Sequence, residues 1–255
     1  MSSNAIDSPE STANASQQLN SSRSDTLRVA ELTADLYAES QKQQFKAIHA
    51  LAALGEAGEL ALAEFVQHIA EKGIGELTAA HGSAYQVLYR GSSTAAENLI
   101  AAFPVGLWCP QSDRGVNYQD LQMLLVQQKY QAADKLTTQK LCELAGQQAV
   151  ERKWVYFTEV NQLPATDLQA IDRLWRLYSE DKFGWSQQRR LWLRLGQDWD
   201  RLWGQLQWKT NGTWTRYPNE FIWDLSAPVG HLPLSNQLRG VRTMNSLLCH
   251  PAWNN

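Results

Sequence analysis

The residues best equipped for chemistry stand together in WTRYPNEFIWDLSAPVGHLPLSNQLRG, from Trp214 to Gly240. Trp214, Tyr217, Phe221 and Trp223 offer flat apolar faces, with Arg216, Glu220, Asp224, Asn236 and Arg239 set between and after them. Pro218, Pro228, Gly230 and Pro233 prevent a continuous helix, so the stretch reads as a long ordered loop. Loops of that length inside compact domains are often functional. The aromatics either anchor an irregular segment to a core or grip a flat apolar ligand, and both readings stand at this point. Held by prolines and edged with arginines, the whole set suits the grip better. Glu220 and Asp224, four apart, would also suit a sugar-cleaving pair, although paired carboxylates in an irregular loop are commonplace.

The rest of the chain must position that loop. Its 255 residues suffice for one large domain or two small ones, and 44% hydrophobic content is ordinary for a protein with a buried core. A net charge of −3 makes no general case for nucleic acid or an anionic membrane. Cys109, Cys142 and Cys249 are far apart and form no CxxC pair, so reduced thiols in a cytosol-like compartment are expected. No histidine spacing suggests a metal site, and no GxxxxGK[ST] loop suggests a nucleotide site. The unusual count is Trp 11, with most of them between Trp175 and Trp223. No apolar run is long enough to span a bilayer. Residues 1–24 are Ser-, Asn-, Ala- and Gln-rich and carry Asp7 and Glu10, so they read as a disordered tail rather than a targeting peptide.

From Asp25, apolar residues recur at helical spacing through Leu27, Leu32, Leu36, Phe45, Ile48, Leu51 and Leu54. LALAEFVQHIA and the Leu77–Phe103 stretch continue the pattern, giving a small helical bundle over 25–103. FPVGLWCPQSDRGVN breaks it and makes 104–116 a linker. Tyr118, Leu121, Leu124 and Leu125 begin the next helical face, which continues through Tyr130, Ala133, Leu136, Leu141 and Leu144. Thr166 is the expected N-cap of a helix with Leu168, Ile171, Leu174, Trp175 and Tyr178 on one face, and Gln169 at the capping-box position. One further helix is expected through QQRRLWLRLGQDWDRLWGQL, with Trp192, Trp199 and Trp203 on its apolar side. Its arginines, mixed with Asp198 and Asp200, read as a solvated face. Asn211-Gly212 predicts a short β-hairpin, and LRGVRTMNSLLCH a last helix.

NYQDLQMLLVQQKYQAADKLT, LPATDLQAIDRLWRLYSEDKFGWSQQ and FIWDLSAPVGHLPLSNQLRG resemble the genomes-uncoupled-four family of tetrapyrrole-binding regulators. The resemblance covers about residues 117–250. Residues 25–103 are similar, less specifically, to the extra helical domain of cyanobacterial members. Trp185 stands in FGWSQQ where the family commonly has phenylalanine, which puts the pocket's shape in doubt rather than its packing. The resemblance implies an all-α protein, with an N-terminal helical bundle and a C-terminal all-helical porphyrin-binding domain carrying long ordered loops. The implied division is a tail at 1–24, a bundle at 25–103, a linker at 104–116 and a tetrapyrrole-binding domain at 117–255.

The implied ligands are protoporphyrin IX and Mg-protoporphyrin IX, and the implied partner is the large porphyrin-binding subunit of magnesium chelatase. The implied role is non-catalytic stimulation of that enzyme in chlorophyll biosynthesis. A porphyrin is a flat apolar disc with two carboxylates on one edge. Burial contributes about 25 cal/mol per Å² of apolar surface, which favours Trp214, Tyr217, Phe221, Trp223, Leu232 and Leu234 as walls. Arginine pairs with carboxylate bidentately, which favours Arg239 and then Arg216 for the propionates. Asn236 is the better axial partner for magnesium, a hard cation, while the His231 ring is expected to hold the GHLP turn. No catalytic or resident metal residues are expected. The compartment implied is the cytoplasm of a cyanobacterial-type cell, with peripheral membrane association left open. The alternative is a helical adaptor whose aromatic cluster is structural.

Overall fold

A computed structural model describes residues 26–72, 74–234 and 241–254. The expected tail therefore lies outside the described residues. The chain is all-α apart from a minimal hairpin. A first helix, α1, runs over 26–35, followed by α2 (Gln41–Ala52), α3 (Glu56–Lys72), α4 (Ala79–Arg90) and α5 (Thr94–Ala102). These pack around Leu36, Ile48, Leu51, Leu62, Val66, Leu88 and Leu99, all essentially buried. Among the described residues no helix is long and apolar enough to cross a membrane.

After α5 the chain is irregular but held. Leu107 is buried, and its N–H donates to the Tyr178 hydroxyl at 3.0 Å. Asp113 N–H and the Tyr118 hydroxyl both donate to the Asp167 carboxylate, at 3.1 and 2.5 Å. Then come α6 (Gln119–Val126), α7 (Tyr130–Ala145), α8 (Gln147–Arg152), α9 (Phe157–Val160), α10 (Ala165–Leu177), α11 (Trp185–Arg194) and α12 (Trp199–Gln205). β1 (Lys209–Thr210) pairs antiparallel with β2 (Thr213–Trp214), and α13 (Val241–Leu248) follows. Asn211 and Gly212 take φ of 50° and 79°, the left-handed pair that a two-residue hairpin turn requires.

The helix α10 is central. Leu168, Ile171, Leu174, Trp175 and Tyr178 are all buried, as their spacing predicts. It meets α4 at backbone distance: a Cβ on Gly82 would lie 1.9 Å from the Leu177 carbonyl oxygen. One turn further along α4, Gln86 Nε2 donates to the carbonyls of Leu125 and Tyr178, each at 2.9 Å. The N-terminal helices thus share a core with the rest of the chain.

Two local expectations are corrected. Pro164, not Thr166, precedes α10, and Thr166 is exposed inside its first turn. Proline arrives with φ already suited to a helix entry. Asp167 carries the first-turn negative charge, and Gln169 reaches instead to the Ala252 carbonyl at 2.6 Å. The single helix expected across 187–206 is two. Gly196 takes φ of 70°, which ends α11, and the Asp198 side chain then caps α12 by accepting from Arg201 N–H at 3.1 Å. The break folds Trp199 back onto Trp192, ring centroids 4.8 Å apart.

Candidate ligand-binding cleft

The segment 215–234 has no regular element, yet nearly every turn of it is tied down. Thr215 N–H and hydroxyl donate to the carbonyls of Trp208 and Gln207, both at 2.9 Å. Glu220 accepts from Arg216 N–H at 2.8 Å, and the Trp223 indole donates to the Pro218 carbonyl at 2.9 Å. Asp224 accepts from Ser226 N–H at 2.7 Å, and its bonds to the Ser226 side chain and backbone hold its carboxyl below the usual range. Glu220 and Asp224 are thus spent on their own turns, and the lowered pKa of Asp224 is the opposite of what a general acid needs.

The turn before α11 grips the loop from behind. Gly230 N–H donates to the Lys182 carbonyl at 2.8 Å, and Gly184 N–H donates to the Leu232 carbonyl at 3.0 Å. Gln188 Nε2 donates to the carbonyls of Gly230 and Pro233, each at 2.9 Å. Gly230 takes φ of 80°, and a Cβ there would come within 2.9 Å of Leu206, so the bend requires glycine.

His231 is the central fastener. Its Nδ1 faces the Leu206 carbonyl at 2.5 Å, and its Nε2 accepts from Ile222 N–H at 3.1 Å. Those partners require a neutral ring protonated on Nδ1. Burial, opposed by the Leu206 carbonyl, lowers its pKa accordingly. Both nitrogens are occupied, so His231 holds the loop and has none to offer a ligand.

Between this loop and α7 lies a cleft of about 600 Å³. Asp134, Lys135, Thr138, Gln139, Cys142 and Glu143 line it from α7, Val150 and Lys153 from the end of α8, and Tyr217 and Leu234 from the loop. Small-molecule sites span roughly 300–1,000 Å³. Glu143 is paired with Lys140 at 2.9 Å. Lys135 and Lys153 have no ion pair among the described residues, so the cleft offers two cationic groups to an acidic ligand beside the buried Asp134.

The aromatic and arginine candidates separate on this map. Tyr217, 41% exposed, and Leu234 line the cleft. Phe221 and Trp223 back Tyr217 in one aromatic cluster, with centroids 5.9–6.4 Å apart. Leu232 is fully buried in the base of the loop. Trp214 packs elsewhere, tilted against Trp203 at 5.7 Å, beside a column that runs through Trp208, Trp203, Trp199 and Trp192. Arg216 is exposed and lines no part of the cleft. Asn236 and Arg239 lie outside the described residues. The α7 and α8 contributions were not anticipated. One signal was available: Asp134 is four residues after Tyr130 and next to Ala133, which puts a charge at the edge of a buried helical face.

A family model described as GUN4-like matches residues 111–251, and an ARM-like repeat domain described as GUN4-N terminal matches residues 19–104. The chain belongs to the GUN4-like family. A Ycf53-like protein of Synechocystis is 45% identical over 226 residues, covering 88% of this chain and 96% of that relative. The chloroplastic tetrapyrrole-binding protein of Arabidopsis thaliana is 38% identical over 138 residues, covering 51% of this chain and 52% of that protein. The solved structure of GUN4 from Chlamydomonas reinhardtii is similar at a TM-score of 0.54 and 37% identity, covering 57% of this chain and 93% of that one. Ligand-free GUN4 of Arabidopsis thaliana matches at 0.51 and 38%, covering 55% and 99%. Within this GUN4-like chain, the cleft and the loop beside it both fall in the part matched by the GUN4-like model.

Proposed function

We propose that this GUN4-like protein binds protoporphyrin IX and Mg-protoporphyrin IX in the cleft between α7, the end of α8 and the 215–234 loop. The same proposal makes it a non-catalytic stimulator of magnesium chelatase in chlorophyll biosynthesis, acting with the enzyme's large porphyrin-binding subunit. The observation that carries it is the cleft. It combines the exposed Tyr217 ring, the aliphatic Leu234 and Val150, and two lysines without an ion pair among the described residues. An apolar disc with an acidic edge matches that pattern of wall and charge. Family membership and the Arabidopsis relative's name support it. On sequence grounds Arg239 and Arg216 remain proposed propionate partners, and Asn236 the magnesium's axial partner. The division at 104–116 and a cyanobacterial cytoplasmic location, with peripheral association at a membrane surface, belong to the same proposal.

The test is an absorbance titration of the full chain with protoporphyrin IX, repeated on Tyr217→Ala. A Soret shift at micromolar ligand, weakened in the variant at unchanged melting temperature, supports the cleft. No shift with the wild type rules the carrier out. The helical adaptor is the second reading, favoured by the tryptophan column, whose rings pack on one another instead of lining the cleft.

A further inference from the structure

Asp134 is the most unusual group in the cleft. It lies on α7, 5% exposed, among the cleft-lining residues. Its Oδ1 accepts the Leu234 N–H at 2.6 Å, and among the described residues no other hydrogen bond to this carboxyl is found. A carboxylate offers about four acceptor sites, and buried carboxylates are ordinarily satisfied by several donors. Among the described residues the second oxygen thus has no donor, and it is open to a ligand that fills the cleft.

The groups that face it are few. Lys135 adjoins it on α7, and Lys153 stands at the end of α8. Glu143 is held by Lys140. Burial raises the Cys142 thiol and the Tyr217 phenol, so both stay neutral. Asp224, on the loop, is engaged with Ser226. Burial pushes the Asp134 carboxyl up to about 7, opposed first by the Leu234 N–H and then by Lys135. Near neutral pH the group stands between acid and anion.

Resting on the tetrapyrrole reading, we propose that Asp134 discriminates between metal-free and magnesium-loaded tetrapyrrole, accepting the first as a neutral acid and favouring the second as a carboxylate. A metal-free disc closes the cleft with apolar surface, and a charged carboxylate left against it is costly. A magnesium centre is a hard cation that takes oxygen, directly or through water, and an opposite charge nearby favours the ionised form. Binding the metal-free disc then takes up a proton, and binding the magnesium disc releases a proton from the fraction of Asp134 that was protonated. The relative preference for the magnesium form rises as pH rises through about 7. Asn236 does not titrate, so a pH-dependent preference separates the two residues.

The experiment measures the dissociation constants of protoporphyrin IX and Mg-protoporphyrin IX on the full chain between about pH 6 and pH 8. Both ligands carry the same propionates, so the ratio of the constants cancels the titration of the acidic edge and the lysines. The wild-type ratio should move at least about tenfold toward the magnesium ligand across this range, and up to about a hundredfold where both preferences are complete. Asp134→Asn keeps an amide oxygen for the Leu234 N–H but loses the titration, and its ratio should be flat. Calorimetry of the wild type in two buffers of different ionisation enthalpy should show proton uptake with the metal-free ligand and release with the magnesium ligand, which needs no variant. A flat wild-type ratio, or a sloping ratio in Asp134→Asn, overturns the discriminator while leaving the binding site intact. Failure of the wild type to bind either ligand removes the tetrapyrrole reading and the discriminator with it.

Discussion

Gly82→Ala should weaken the fold severely, although alanine is the better helix former. The change favours α4 by about 1 kcal/mol in helix propensity. Against this, the new Cβ would sit 1.9 Å from the Leu177 carbonyl oxygen and 2.8 Å from its carbon. Both atoms are backbone, so no side chain can swing away. The helices must part by more than about 1 Å to restore van der Waals contact. One turn along the same face, Gln86 Nε2 bonds to Leu125 and Tyr178 at 2.9 Å, and those bonds stretch with the separation. Overpacking of this kind costs about 1–3 kcal/mol, and each buried bond lost about another 1 kcal/mol. The net is a loss of about 2–4 kcal/mol, a large share of the roughly 5–15 kcal/mol that holds a domain together. The assay is urea denaturation followed by circular dichroism. Gly204→Ala is the internal control, since a Cβ on that α12 glycine meets nothing within 4 Å. It should gain up to about 1 kcal/mol. If Gly82→Ala is as stable as Gly204→Ala, the close crossing of α4 and α10 is wrong.

Lys135→Ala and Lys153→Ala should each weaken porphyrin binding by about threefold to tenfold, more at low salt, with an unchanged melt; a titration at two ionic strengths checks this. His231→Ala strands the Leu206 carbonyl and the Ile222 N–H, so chemical denaturation should show a loss of about 2–4 kcal/mol. Burial depresses the His231 pKa, so its contribution stands above about pH 6.5 and is lost as pH falls below it; the pH slope of stability should shrink in His231→Phe. His49 is the opposite case. Its 2.7 Å bond to Glu180 raises its pKa, against burial and Arg90. That contribution is complete below about pH 6.5 and disappears as pH rises through the folded-state value. His49 is largely exposed although Glu180 is half-buried, so solvent screening leaves melting curves of His49→Gln and wild type differing by only a few tenths of a kcal/mol at low pH and converging at high pH.

Periodic segments were legible from the sequence because a helix repeats its environment every three or four residues. The spacing from Leu168 to Tyr178 marks the buried side of α10, and Asn211-Gly212 marks the hairpin. The 214–240 stretch was legible as a loop but not in its facing. Nothing in an aperiodic segment tells Leu232, which is buried in its base, from Leu234, which lines the cleft two residues later. The role expected for the His231 ring is the one found, because a histidine after glycine in such a turn has backbone groups to satisfy. The other wall of the cleft was not legible, since α7 and the end of α8 reach the loop only through tertiary packing. The break at Gly196 was readable in principle, glycine followed by a capping aspartate, but the surrounding leucines and tryptophans kept a helical rhythm across it.

The tryptophan column also governs how the protein handles light. Trp192, Trp199, Trp203 and Trp208 follow one another at centroid distances of 4.8–5.5 Å, and Trp214 branches from Trp203 at 5.7 Å. Indoles that close exchange excitation faster than they emit it. Energy absorbed by any ring therefore wanders through the column and leaves from whichever ring has the lowest excited state. A chromophore that drains one ring drains the others with it, so emission from this part of the chain reports as a single pooled source.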